Sequence, residues 1–144
     1  MRASERLERL GLKLHQALYT RSDGRIGHRL AGVPCLLLRS TGRRSGACRT
    51  NALVYARDGA DLLVVASNGG ADAAPGWLHN LRASPAAEIQ IGRERRPVHA
   101  RIVEGGPERD RLWRIVNANN RGRYDRYQAR TARVIPIAVL SPEP

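Results

Sequence analysis

The sequence predicts a mainly β domain of the α+β class. About six antiparallel strands close into a barrel, accompanied by an N-terminal helix and two or three short helices. Three observations point there. Apolar runs at 33–39, 49–57 and 61–66 are separated by an arginine-rich loop and by an Asp-Gly turn, the punctuation of antiparallel strands. A second pair of alternating runs, 87–91 and 96–103, flanks "GRER". The chain has 144 residues and no Phe, so its core is Leu, Val, Ile and Ala, which suits strands and short helices. That length supports a single core, so residues 1–144 are one domain, and barrel closure removes the exposed sheet edges.

The elements follow in order. Residues 1–20 carry an amphipathic helix over 4–19, with Ser4 as its cap and Leu7, Leu10, Leu14 and Leu18 at three- and four-residue steps. The other face carries Arg6, Glu8, Arg9 and Lys13. The leucines either pack inward on the domain, which is the ordinary outcome, or lie on a membrane. Residues 20–32 are a glycine-rich basic linking loop. Val33–Arg39 is apolar throughout and reads as a strand buried on both faces. Arg49–Arg57 is the next strand, "RDGA" its hairpin turn, and Asp61–Ala66 the third. After a loop over 67–76, Trp77–Ala83 is a short helix that begins near Asp72 and Pro75 and stops before Pro85. Pro107 opens another helix with Leu112, Trp113, Ile115 and Val116 on its apolar side. Val134–Leu140 is the last strand, and Pro136 within it suits an edge or a bulge.

The formal net charge is +12, and Lys13 is the single lysine, so nearly all of the basic charge is arginine. Arginine grips carboxylate and phosphate with a planar, permanently charged fork, so the partners are anionic. Arginine is not interleaved with aromatics on a strand face, and there is no helix-turn-helix pattern, which argues against specific nucleic-acid binding. Cys35 and Cys48 flank the arginine loop; they can face each other across adjacent strands, but free buried thiols are the simpler reading. No Cys/His cluster offers a metal site. His15, His28, His79 and His99 are scattered and read as surface or packing residues. No apolar run reaches signal-peptide or membrane-spanning length, so the chain reads as cytoplasmic.

Two glycine loops carry the functional signal. Gly42 and Gly46 bracket Arg43-Arg44-Ser45, with Thr41 and Arg49 beside them. Such a loop is either a solvated basic turn or a cradle that offers backbone N–H groups, hydroxyls and guanidinium groups to an anion. It is not a nucleotide P-loop, because it lacks Gly-Lys-Ser/Thr and leads into a strand. Ser67-Asn68-Gly69-Gly70 follows the third strand directly, which puts it at the same end of the barrel. Two such loops describe a binding mouth, with Trp77 positioned to cover it.

These residues carry a resemblance. "TGRRSG" with Arg49, "ASNGGA" at 66–71, "WLHNLRASP" at 77–85 and "VIPIAVL" near the end resemble the deazaflavin (coenzyme F-420)-dependent nitroreductase and quinone reductase family. Its members are small split β-barrel proteins, and the likeness runs from Leu18 to Leu140. The resemblance implies a cofactor with a phosphate and an oligoglutamate tail. Arg43, Arg44, Ser45, Gly46 and Arg49 would take the phosphate and tail. Asn51, Ala52 and Leu53 would lay backbone along the deazaflavin ring, and Ser67, Asn68, Gly69 and Gly70 would line the ring and its ribityl side, with Trp77 beside them. Tyr124 and Tyr127 match the family's substrate-side tyrosines and would bind or protonate a substrate oxygen. Val54 stands where nitroreductases of the family carry a tyrosine, and Arg121 where they carry an aromatic. Both departures sit on the expected substrate side.

The implied activity is hydride transfer from reduced coenzyme F-420 to an electrophilic acceptor such as a quinone or nitro compound, with a quinone leading. The cofactor supplies the hard chemistry, consistent with a sequence that shows no catalytic triad or paired catalytic carboxylates. The alternative is a non-catalytic carrier of deazaflavin or fatty acid. Flavin mononucleotide is the rival cofactor, and the arginine count favours the longer polyanion. A quinone acceptor implies peripheral contact with an anionic membrane at the inner face of the cell, through the basic N-terminal helix. The oligomeric state is not legible.

Overall fold

The structure, a computed structural model, describes residues 3–23, 29–30 and 32–143. Part of the expected linking loop over 20–32 lies outside the described residues. The element order is α1 (Ala3–Arg21), β1 (Arg29–Leu30), β2 (Val33–Thr41), β3 (Cys48–Val54), β4 (Ala56–Asp58), β5 (Asp61–Val65), α2 (Gly76–Ala83), β6 (Ala86–Ile91), β7 (Glu94–Val103), α3 (Gly106–Asn119), α4 (Arg123–Ala129) and β8 (Ile137–Pro142). The strand pairs are all antiparallel, in the order β1-β2-β6-β7-β8-β5-β4, with β3 on β2.

The sequence run 49–57, expected as one strand, is two. The chain bends at Tyr55, so β3 pairs with β2 and β4 pairs with β5. That bend curls the two ends of the sheet toward each other into a split barrel, because one continuous segment serves both edges. The last strand also differs from expectation. Pro136 precedes β8 rather than interrupting it, and β8 is central, between β7 and β5. A proline just outside a strand costs no ladder hydrogen bond. Its carbonyl accepts from the Ala66 N–H at 3.0 Å.

Side-chain alternation sorts the core into an interior and two outer layers. Leu36, Leu38, Leu62, Val64, Ile89, Val98, Ala138 and Leu140 fill the barrel, and Trp77, Leu78 and Leu81 of α2 pack against that interior. Leu63, Val65, Val103, Ile137 and Val139 face outward under α3 and α4. Cys35 and Leu37 face outward with Tyr19 of α1. β2 is therefore covered on both faces, which explains its uninterrupted apolar run.

The first helix is oriented against the ordinary expectation. The leucines of its stripe do not pack on the domain: Leu7, Leu10 and Leu14 are 69%, 65% and 61% exposed, and Leu18 is exposed as well. The opposite face meets the barrel. Gln16 Oε1 accepts the Ala52 N–H at 3.1 Å. Tyr19 is fully buried; its hydroxyl lies 3.1 Å from the Cys35 carbonyl and 3.2 Å from the Gln90 carbonyl, and accepts the Gly92 N–H at 3.0 Å. α1 is thus anchored by polar contacts near its C-terminal end, and its apolar stripe faces away.

The cysteines do not face each other. Cys35 lies opposite Val54 and Cys48 opposite Thr41, at the two ends of the β2–β3 ladder. Neither forms a disulfide; Cys35 is buried and Cys48 exposed.

Candidate functional site

The arginine loop connects β2 to β3 and is closed by its own backbone. The Gly42 N–H donates to the Ala47 carbonyl at 2.7 Å, and the Gly46 N–H donates to the Gly42 carbonyl at 2.8 Å. Gly46 sits at φ 73°, the left-handed region that glycine tolerates. Ser45 Oγ accepts the Ala47 N–H at 3.2 Å. The Arg43 N–H is taken by Asn80 Oδ1 of α2, also at 3.2 Å. Four of the loop's N–H groups are therefore spent inside the protein. The expected cradle of successive N–H groups is thus largely spent within the turn, and what the loop has left to offer an anion is the guanidinium groups of Arg43, Arg44 and Arg49.

These arginines line a cavity of about 470 Å³ together with Thr50, Asn51, Trp77 and Asn80. Asn80 is buried on α2, and its Nδ2 donates to Ser40 Oγ at 3.3 Å while its oxygen serves Arg43. Asn51 and Trp77 also line a second cavity of about 1020 Å³, so the two adjoin. Ala52, Leu53 and Val54 of β3 form one wall of the second cavity, Ser67, Asn68, Gly69 and Gly70 another, and Tyr124 and Tyr127 of α4 a third. The inner face of α1 contributes Glu5, Glu8, Arg9 and Leu12. The two glycine loops thus open onto one mouth, as the sequence order implied.

The second glycine loop is a single turn of tight helix over Asn68–Gly70, with Gly69 at φ 65° and Gly70 at φ 84°. A Cβ on Gly70 would stand 2.6 Å from the Tyr127 carbonyl oxygen, so only glycine lets the loop meet α4. The segment after α4 grips the same loop. Arg130 donates to the Gly69 carbonyl at 3.1 Å and Thr131 Oγ1 to Asp72 at 2.8 Å. Arg133 spans the Ala66, Ser67 and Ala71 carbonyls. Asp72, expected near a helix start, instead serves this clamp.

Tyr124 is 5% exposed and meets Tyr127 edge-on, with ring centroids 6.1 Å apart. Burial raises the Tyr124 hydroxyl well above its ordinary pKa, and the neighbouring Tyr127 adds to that. The phenol is a protonated donor throughout the neutral range. Asn120 is buried beside it and lines the same cavity, and its Oδ1 meets no hydrogen-bond donor among the described residues. Arg121 is not at the cavity; its guanidinium would lie 3.2 Å from a Cβ on Gly32.

Sequence reasoning missed the roles of Asn80, Asn120, Arg130, Arg133 and the inner face of α1. Asn80 lies within the 77–85 motif, but nothing there shows that it reaches Arg43. The others carry no local signal, because their partners are distant in sequence.

The arrangement fits a long, anionic, ring-bearing cofactor. Two adjoining cavities span an arginine cradle and a polar, tyrosine-flanked chamber, a buried carbonyl oxygen awaits a donor, and Gly70 and Gly42 keep the walls close. Gly42 is a position where a Cβ would stand 3.0 Å from the Ala47 carbonyl oxygen.

A family model described as F420H(2)-dependent quinone reductase matches residues 11–142. An F420H(2)-dependent quinone reductase of Mycobacterium tuberculosis is 51% identical over 132 residues, 90% of this chain and 89% of that protein. Among solved structures, an F420-H2 dependent reductase superposes with a TM-score of 0.68 at 31% identity, covering 75% of this chain and 94% of that one. A domain-swapped dimer superposes with a TM-score of 0.69 at 26% identity, covering 97% and 100%. Fold, cavity and relatives agree: the chain belongs to the F420H(2)-dependent quinone reductase family, oxidoreductases whose cofactor is the deazaflavin coenzyme F-420.

Proposed function

We propose that this chain holds reduced coenzyme F-420 across its two adjoining cavities and delivers the hydride to a quinone in the larger one. The observation that carries the reading is the shared wall: Asn51 and Trp77 line both cavities, so a ligand anchored among the arginines extends directly to the tyrosines. Arg43, Arg44 and Arg49 hold the phosphate and the oligoglutamate tail by charge-assisted hydrogen bonds, with Ser45 and Gly46 shaping the turn. Asn51, Ala52 and Leu53 and the Ser67–Gly70 loop sandwich the ring. Tyr124 and Tyr127 hydrogen-bond the acceptor oxygen or donate the proton that completes its reduction. Val54 on the chamber wall leaves room for an acceptor with more than one ring.

The test is a titration of the purified protein with reduced deazaflavin coenzyme, followed by menadione. Binding with recovery of the oxidised absorbance supports the reductase. Binding without reoxidation favours a carrier, and no binding sinks the cofactor reading.

The exposed stripe of α1 supports a second statement: the protein docks on an anionic membrane. Leu7, Leu10, Leu14 and Leu18 form one apolar face, and Arg6 and Lys13, exposed at its flank, carry the matching charge. Each well-placed basic residue contributes about 1 kcal/mol at an anionic surface. No described helix is long and apolar enough to cross a membrane, so the contact is peripheral. A second copy of the chain is the competing occupant, given that one structural neighbour is a domain-swapped dimer. Cosedimentation with anionic vesicles at low salt, alongside the solution mass without lipid, separates the two.

A further inference from the structure

Arg133 lies behind the second glycine loop and is not among the residues lining the chamber. Its Nε donates to the Ala71 carbonyl at 2.9 Å, and one terminal nitrogen donates to the Ala66 carbonyl at 3.1 Å and to the Ser67 carbonyl at 2.9 Å. One guanidinium thus draws three carbonyls of a single loop to its own side. The peptide bonds of the described residues are trans, and in a trans peptide the N–H points opposite to the C=O. Fixing the Ala66 and Ser67 carbonyls toward Arg133 therefore turns the N–H groups of Ser67 and Asn68 away from it, and both residues line the chamber. Neither of these N–H groups meets a backbone acceptor among the described residues, whereas the next two are spent within the turn, Gly70 on Ser67 and Ala71 on Asn68.

The charge behind the loop is not cancelled. No ion pair to a carboxylate is formed by Arg133 among the described residues, and nearby Asp72 is engaged by Thr131. Partial burial lowers the pKa of Arg133 from the ordinary arginine value, and an arginine guanidinium in a protein keeps its charge. Two aligned N–H dipoles with a positive charge at their back stabilise electron density on an oxygen that accepts from both.

We infer that Arg133 is a positioning residue that aims the Ser67 and Asn68 N–H groups at a pyrimidine-type carbonyl of the bound ring and so makes the site prefer the reduced coenzyme over the oxidised one. This rests on the proposal that the ring lies against the Ser67–Gly70 loop. Its physical basis is that the reduced ring is the more electron-rich of the two and gains more from paired donors backed by a cation. The role goes beyond holding the loop in place, which would favour both redox forms alike.

The test is the ratio of dissociation constants for oxidised and reduced coenzyme, measured by direct titration, in wild type and in Arg133→Lys. Lysine keeps the charge but loses the planar fork that spans three carbonyls. The preference for the reduced form should fall by about tenfold, the size of one charge-assisted hydrogen bond. A second pair of variants covers the case in which Arg133→Lys folds poorly. Ser67 has φ −76°, which proline adopts without strain, so Ser67→Pro deletes the N–H while Ser67→Ala deletes only the hydroxyl. The redox preference should be lower in Ser67→Pro than in Ser67→Ala. An unchanged ratio in Arg133→Lys, or equal ratios in the two Ser67 variants, overturns the inference while leaving the cofactor reading intact. Wild type that binds neither form overturns both.

Discussion

Asn80 Oδ1 accepts two hydrogen bonds from Arg43, one from its backbone N–H and one from its guanidinium, each at 3.2 Å. A buried neutral amide on α2 thereby fixes both the turn and the reach of an arginine in the anion cradle. A carboxylate at this position would fix it equally well but would neutralise it. The choice of Asn leaves the positive charge available to a ligand.

Asn80→Ala should destabilise the fold by about 1–3 kcal/mol, because the Arg43 N–H and Ser40 lose a buried partner. Coenzyme affinity should fall with it. Asn80→Asp should keep more of the stability yet weaken binding of the polyanionic tail. Denaturant melts paired with coenzyme titrations read both quantities. Equal affinity in Asn80→Asp and wild type would show that Arg43 does not serve the tail.

Gly70→Ala tests the contact between the second glycine loop and α4. The new Cβ would meet the Tyr127 carbonyl oxygen at 2.6 Å, at a residue with φ 84°. The cost should be about 1–3 kcal/mol, with a raised KM for the acceptor as Tyr127 shifts. Gly69→Ala has a similar positive φ but nothing within 4 Å of its Cβ, so only the left-handed backbone term of about 1 kcal/mol applies. The difference between the two melts isolates the clash.

Burial raises the hydroxyl pKa of Tyr124 and also that of Tyr19. The fold therefore favours the protonated phenols. Their contribution is fully present below the unfolded value of about 10 and is lost as pH rises beyond it toward the folded values. Stability should fall on the alkaline side, and tyrosinate absorbance from these two should appear at higher pH than that of an unburied tyrosine. Tyr124→Phe should flatten that alkaline fall. A normal, unfolding-independent titration of all four tyrosines would contradict the burial argument.

Leu10→Ser with Leu14→Ser should leave the melting temperature nearly unchanged, since surface substitutions shift stability by about 0.5 kcal/mol or less. The same double variant should lose cosedimentation with anionic vesicles. A large drop in melting temperature would instead reveal that the stripe is buried in solution against another copy of the chain.

The sequence made the barrel legible because antiparallel strands announce themselves locally, through alternation and an Asp-Gly turn. The bend at Tyr55 was not legible, because it is set by closure of the whole sheet and no glycine or proline marks it. Pro136 misled for a similar reason: whether a proline lies inside a strand or one residue before it depends on register. The helix leucines have perfect amphipathic spacing, but spacing defines a face and not the direction in which the face points. That direction was decided by Tyr19 and Gln16, single residues with no periodicity. At the site, the glycine loops and arginines were readable as residue types. Their backing by Asn80 and Arg133 was not, since those contacts join residues 37 to 67 positions apart.

The central place of β8 carries a consequence for folding. Among the described residues it is the one strand that bridges β7 and β5, so the curled sheet has a gap until β8 pairs on both sides. Before that, β4 and β5 are tied to the β2-β6-β7 ladder only through the chain at Tyr55. Those waiting edges are open to wrong pairing, and docking of β8 is the step that closes the sheet.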